Sequence, residues 1–221
     1  MNIQTKKKVN KAFLYAVQIF VAVVFVIPLV WMIVSSLKPE VDIFKDMNSL
    51  ATLMLNNPTL ENYKEMFARS EIVNSMLNST FYIAMILIIG IPVNALAGYS
   101  LAKLNFPGKK IVLGLIIALY IVPFETVLLP LYLVSNGLGI TNSYLALILP
   151  FVGNCFNIFL FRQFFMSMPK DLEEAASIDG CGPLKTFVRI VIPNSKPVLA
   201  TATVLTVTTH WSDFMWPLIS V

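Results

Sequence analysis

The sequence predicts an all-α protein that crosses a membrane several times as a helical bundle. Three observations predict it. Of the 221 residues, 57% are hydrophobic and 13% charged, against about 25% charged in an ordinary soluble domain, so much of the surface must face something other than water. The apolar residues gather into five long runs, each near the ~20 residues that a helix needs to span a hydrocarbon core. The basic residues then fall mostly on one side of those runs, as membrane orientation requires.

The elements follow in order. Residues 1–11, MNIQTKKKVNK, are polar and basic. Residues 12–36 carry no charge and would reach roughly 37 Å as a helix at 1.5 Å per residue. A cleavable signal has a shorter apolar region of about 7–15 residues, so this first span is read as retained. Residues 37–73 are polar and mixed in charge, with a turn at Asn56-Asn57-Pro58 and a short helix for which Thr59 is a plausible cap. The second span, 74–102, contains Gly90, Pro92 and Gly98, which membrane helices tolerate when neighbours re-satisfy the backbone. A basic turn, KLNFPGKK, precedes the third span, 111–132, where Pro123 and Pro130 predict kinks. The fourth span is 144–161 and the fifth 197–216, with a polar loop at 162–196 between them.

With the N-terminus in the cytoplasm, residues 1–11, the 103–110 turn and the 162–196 loop hold twelve of the sixteen Lys and Arg residues. Lys38, Lys45, Lys64 and Arg69 lie on the other side. The bias puts the polar loop in the cytoplasm, with any partner it binds.

That loop has its own grammar. Pro169 with Asp171, Glu173 and Glu174 reads as a helix start, because proline suits a first turn and acids complement its positive end. Ala175 and Ala176 continue the helix, and Asp179-Gly180 ends it, glycine being free to turn left-handed. Pro183 starts a second helix, in which Leu184, Phe187, Val188 and Val191 share an apolar face at spacings of three and four. Pro193 ends that helix. Such a hairpin either docks its apolar face in a partner's groove or anchors the loop at the membrane edge.

Glu174-Ala175-Ala176, three residues, Gly180, nine residues, Ile190, one residue and Ile192-Pro193 resembles the EAA loop of bacterial ABC importer permeases, with Ile192 where leucine is usual. The resemblance extends to Ser36-Leu37-Lys38-Pro39, Ala97-Gly98-Tyr99-Ser100-Leu101-Ala102, Phe106-Pro107-Gly108, Arg162-Gln163-Phe164-Phe165 and Trp211-Ser212-Asp213-Phe214, as in the MalG-like carbohydrate branch. It implies a permease-type bundle whose loop docks on a separate ATPase through Glu174, Ala175, Ala176, Asp179, Gly180, Leu184, Phe187, Ile190 and Pro193. It also implies a bacterial inner-membrane location, a second permease, two ATPase subunits and an extracytoplasmic binding protein. Permeases of this branch have six spans. Five are present here and the usual C-terminal sixth is absent, so a truncated chain is expected.

Within the membrane, Glu125 in span three, Asn154 and Asn157 in span four, and Asp213 near the end of span five are candidates for a solute pathway, since intramembrane polar groups are costly unless they are used. Packing hydrogen bonds explain the asparagines equally well. Asn94 with Gly98 reads as close helix packing, and Trp211 and Trp216 as an interfacial belt. His210 and Asp213 are placed on one helix face, with no third ligand for a metal. Cys155 and Cys181 suit neither a disulfide framework nor a metal site. There is no GxxxxGK[ST] sequence and no catalytic triad, and no cofactor or nucleic acid is expected. Importers of amino acids or phosphate esters are the nearest alternatives, and a membrane enzyme using Glu125 or Asp213 a more distant one.

Overall fold

The structure, a computed structural model, describes residues 3–46, 49–169, 171–178 and 180–221. Lys170 and Asp179 of the polar loop therefore lie outside the described residues. Every regular element among those described is helical, and the chain divides into two units, Met1–Ser75 and Met76–Val221.

In the first unit, α1 (Ile3–Ser36) is a single helix that continues through Pro28. Its large side chains from Phe13 to Ile33 are exposed, Phe25 by 74%. A helix whose apolar side chains are exposed along most of its length fits a lipid or helix–helix environment. The helix ends at Ser36-Leu37-Lys38-Pro39, which organises the short helices α2 (Glu40–Asp46) and α3 (Glu61–Ala68). Lys38 is buried, and its Nζ donates to Asp46 Oδ2 at 3.0 Å and to the Ala51 carbonyl at 2.7 Å. The Asn62 carboxamide donates to the carbonyls of Ser36 (3.1 Å), which the helix C-terminus leaves without an intrahelical partner, and Lys38 (2.8 Å), just beyond it. Thr59 Oγ1 accepts from the Glu61 amide at 3.1 Å, at the start of α3.

The second unit is built on α4 (Ser70–Lys103), followed by α5 (Lys109–Ile121), α6 (Phe124–Gly137), α7 (Tyr144–Val152) and α8 (Cys155–Ser167). Then come α9 (Asp171–Ile178), α10 (Pro183–Thr186) running into a π turn at Phe187–Val191, α11 (Lys196–Trp211) and α12 (Met215–Ser220). Among the described residues three stretches are long and apolar enough to cross a membrane, namely Phe13–Ser36, Glu71–Lys103 and Tyr144–Ser167. Two bent pairs bring the number to five if each is one span.

The sequence expectation differs from the structure at the bends. The expected third span, 111–132, is divided at Val122-Pro123, where α5 and α6 meet at 105°. Pro123 has no N–H to continue the helix and biases Val122 to extended backbone. The expected fifth span, 197–216, closes at Trp211, and Ser212 to Phe214 separate α11 from α12. His210 and Asp213 therefore do not share a helix face. At the other end of α11, Pro193 bends the chain by 47°.

Trp216 is also corrected. It is fully buried, and its indole N–H donates to the Ala146 carbonyl at 2.9 Å. Pro150, four residues after Ala146, lacks the N–H that would otherwise take that carbonyl, so the indole has a ready acceptor inside the bundle. Trp211 is 52% exposed.

Candidate functional site

Two regions of the second unit carry chemistry. The first is the loop. α9 begins with Asp171, Glu173 and Glu174 in its first turn. Gly180 follows it with φ +72°, in the left-handed region that glycine enters without strain. The Cys181 amide then donates to the Ala176 carbonyl at 2.8 Å, which closes the helix end as a Schellman-type cap does. A Cβ at Gly180 or Gly182 would meet nothing within 4 Å among the described residues. Glu174 and Ala175 are exposed, whereas Ala176 is buried.

The apolar stripe expected on the second helix is split. Phe187 and Val191 are buried, and Leu184 and Val188 are 66% and 56% exposed. Phe187 and Val191, four residues apart, share the inward side, and Leu184 and Val188, also four apart, the outward one. A π turn follows Phe187, in which the Ile192 amide reaches back five residues to the Phe187 carbonyl at 2.9 Å. Phe187 packs on Tyr99 of α4 (ring centroids 5.1 Å) and on Phe165 of α8 (6.3 Å). With Ala95, Phe161, Val198 and Ala202 these residues form one buried cluster. Leu184 and Val188 instead line an open groove with Gly182, Pro183, Lys185 and Arg189. Ile190 is half-buried and Pro193 exposed.

A second tether was not read from the sequence. Lys103, in the last turn of α4, places Nζ 2.7 Å from Glu173 Oε1 and 3.3 Å from the Met168 carbonyl. The loop is thus fastened to α4 by an ion pair as well as by Phe187. Beneath it, α4 and α8 are in backbone contact: a Cβ on Gly98 would lie 2.6 Å from Phe161 Cβ and 2.9 Å from the Arg162 amide nitrogen.

The second region is a cavity of about 280 Å³ lined from α4, α5, α7, α8 and α11. It lies at the break between α7 and α8. Asn94 spans that break, its Nδ2 donating to the Val152 carbonyl (3.1 Å) and its Oδ1 accepting from the Asn154 amide (2.9 Å). One carboxamide thereby satisfies two backbone groups that the break exposes. Asn154 Oδ1 caps α8 by accepting from the Asn157 amide, and Asn157 Nδ2 donates to Thr206 Oγ1 across to α11 at 3.1 Å. The structure therefore brings Asn154 and Asn157 together in one cavity, alongside Tyr120, Phe151, Phe156, Thr206, Thr209 and His210. It does not bring Glu125 or Asp213 there. Glu125 is exposed in the first turn of α6, and half-buried Asp213 accepts weakly from the Trp216 amide at 3.4 Å.

Comparisons with known proteins agree in kind. The family described as "Binding-protein-dependent transport system inner membrane component" matches residues 90–220. The chain is 30% identical over 203 residues to the arabinooligosaccharides transport system permease protein AraQ of Halalkalibacterium halodurans, covering 90% of this chain and 72% of that one. It is 36% identical over 194 residues to the probable ABC transporter permease protein YurM of Bacillus subtilis, covering 87% and 63%. The chain thus spans about two thirds of the length of these relatives. Its fold is similar to that of a chain in the crystal structure of a bacterial ABC transporter involved in the import of the acidic polysaccharide alginate. That likeness has a TM-score of 0.87 and 21% identity, and covers 100% of this chain and 77% of the other.

Proposed function

This chain belongs to the family of binding-protein-dependent transport system inner membrane components, and from that premise we propose that it is a non-catalytic permease subunit of an ATP-driven importer of carbohydrate. It works with a second permease, two ATPase subunits on the cytoplasmic side and an extracytoplasmic binding protein. The carbohydrate assignment draws on the relatives named for arabinooligosaccharide and alginate transport. The placement of the loop in the cytoplasm, with the N-terminus, rests on the distribution of Lys and Arg.

The observation that carries the proposal is the two-faced loop. Its outer side offers Leu184, Val188 and an unobstructed bend at Gly180, together with exposed Glu174 and Ala175, to an ATPase cleft. Its inner side locks Phe187 and Val191 among residues of α4, α8 and α11. A packed interior shifts as a unit rather than deforming, so closure of the ATPases would carry through Phe187 and the Lys103–Glu173 pair to three spans at once. The solute path would then alternate between the two sides.

The test is uptake by vesicles that hold the complete transporter. Gly180→Asn keeps a residue that tolerates the left-handed conformation but adds bulk on the partner side. We expect normal assembly with at least a tenfold loss of ATP-dependent import. Import and ATP hydrolysis at wild-type rates would overturn the coupling role of the bend.

A further inference from the structure

We propose that the cavity on this chain is a binding subsite for one ring of an uncharged sugar, an inference that rests on the carbohydrate reading above. Its volume of about 280 Å³ is at the lower edge of the ~300–1,000 Å³ usual for small-molecule pockets, which suits a single ring and not an oligosaccharide. Three aromatic rings line it. Tyr120 and Phe156 lie 5.4 Å apart between centroids, and Phe151 lies 4.6 Å from His210. They offer flat apolar surface to the C–H face of a pyranose. Among the described residues no Asp, Glu, Lys or Arg lines the cavity, so a carboxylate or phosphate would lie there without a counter-charge, at high cost.

The hydrogen-bonding capacity that is left over points the same way. Asn94 is occupied at both ends by the helix break, and the Asn157 amide nitrogen by Thr206. The His210 ring is different. The residue is 4% exposed and lines the cavity, yet its imidazole makes no hydrogen bond among the described residues. The Tyr82 hydroxyl donates to the His210 carbonyl and fixes the turn that carries the ring. A neutral imidazole has one donor and one acceptor, and a sugar hydroxyl is both. Exposed Thr209 and half-buried Asn154 line the same space, and neither the Thr209 hydroxyl nor Asn154 Nδ2 makes a hydrogen bond among the described residues. Buried polar groups seek partners, and a ring bearing several hydroxyls supplies them.

His210 is the one histidine of the chain, which makes the proposal directly testable. The complete transporter, in liposomes, is treated with diethyl pyrocarbonate, which acylates an accessible imidazole nitrogen, and the His210 peptide is followed by mass spectrometry. The probes are arabinose, maltose, trehalose and galacturonate, each also assayed for import. We expect the neutral sugar that is imported to reduce labelling of His210 at least fivefold, with galacturonate having no effect. Thr209→Val, which keeps the shape and removes the hydroxyl, should lower import of that sugar at least threefold. His210→Gln should lower it at least tenfold. Equal labelling with and without an imported sugar, protection by galacturonate alone, or wild-type import by Thr209→Val would overturn the subsite while leaving the carbohydrate reading intact. A wild-type transporter that imports none of the four would overturn both.

Discussion

Along α4, two consecutive stretches are packed by opposite rules. From Ala95 to Lys103 the helix is in close contact with its neighbours. Gly98 lets the α8 backbone touch it, Tyr99 meets Phe165 and Phe187, and the one exposed-type charge, Lys103, is paired. From Tyr82 to Asn94 the same helix borders a cavity, a broken span held by one asparagine, and an unpaired histidine. The difference teaches where each property is needed. A region that relays motion gains from having no void, because interiors at crystal-like density pass on displacement. A region that admits a ligand must keep polar groups unsatisfied until the ligand arrives, and so must be propped open by others that are satisfied.

Substitutions can break this contrast at either end. Phe187→Ala should have the largest effect. It empties the centre of the aromatic cluster at a cost of about 3–5 kcal/mol, seen as a lower melting temperature of the detergent-solubilised transporter and as ATP hydrolysis without import. Gly98→Ala forces a methyl group against the α8 backbone and should cost about 1–3 kcal/mol. The same melt reads it, and Gly114→Ala, where a Cβ meets nothing within 4 Å among the described residues, is the control. Asn94→Leu keeps the γ-branched outline but leaves the Val152 carbonyl and the Asn154 amide without their partner. We expect roughly 1–2 kcal/mol, because the adjoining cavity admits some water, together with faster proteolysis at the break between α7 and α8. Lys103→Met should be the smallest, about 1 kcal/mol, since Glu173 keeps some solvent contact. The loss should shrink in concentrated salt and be recovered by Lys103→Arg. If Asn94→Leu were to destabilise more than Phe187→Ala, the contrast between a tight relay and a propped cavity would be wrong.

Much of this was legible in the sequence. Long uncharged runs give the spans, because a bilayer imposes a length, and Pro169, the first-turn acids, Gly180 and Pro183 give the loop its helix, left-handed glycine and second helix. What stayed hidden depends on three-dimensional partners. Trp216 looks interfacial until the carbonyl freed by Pro150 is found beside it. Glu125 looks like a buried acid until Pro123 turns its helix aside and leaves it exposed. His210 looked like half of an improbable metal pair, because the end of α11 at Trp211 carries no strong stop signal. Asn154 and Asn157 were found as polar residues in an apolar run, whereas Thr206, Thr209 and Lys103 belong to residue types too ordinary to single out.

The π turn at Phe187–Val191 has a consequence of its own. It amounts to one surplus residue held within a helix. Shorten the chain there by one, and four residues at about 100° each would cover nearly the turn that five now cover in the wider winding. The residues beyond would keep their facing, while the five-residue reach from Ile192 to Phe187 would be lost. The widening is therefore recorded in the number of the loop's residues and not in their kind, so a change of length could erase it while leaving the composition almost untouched.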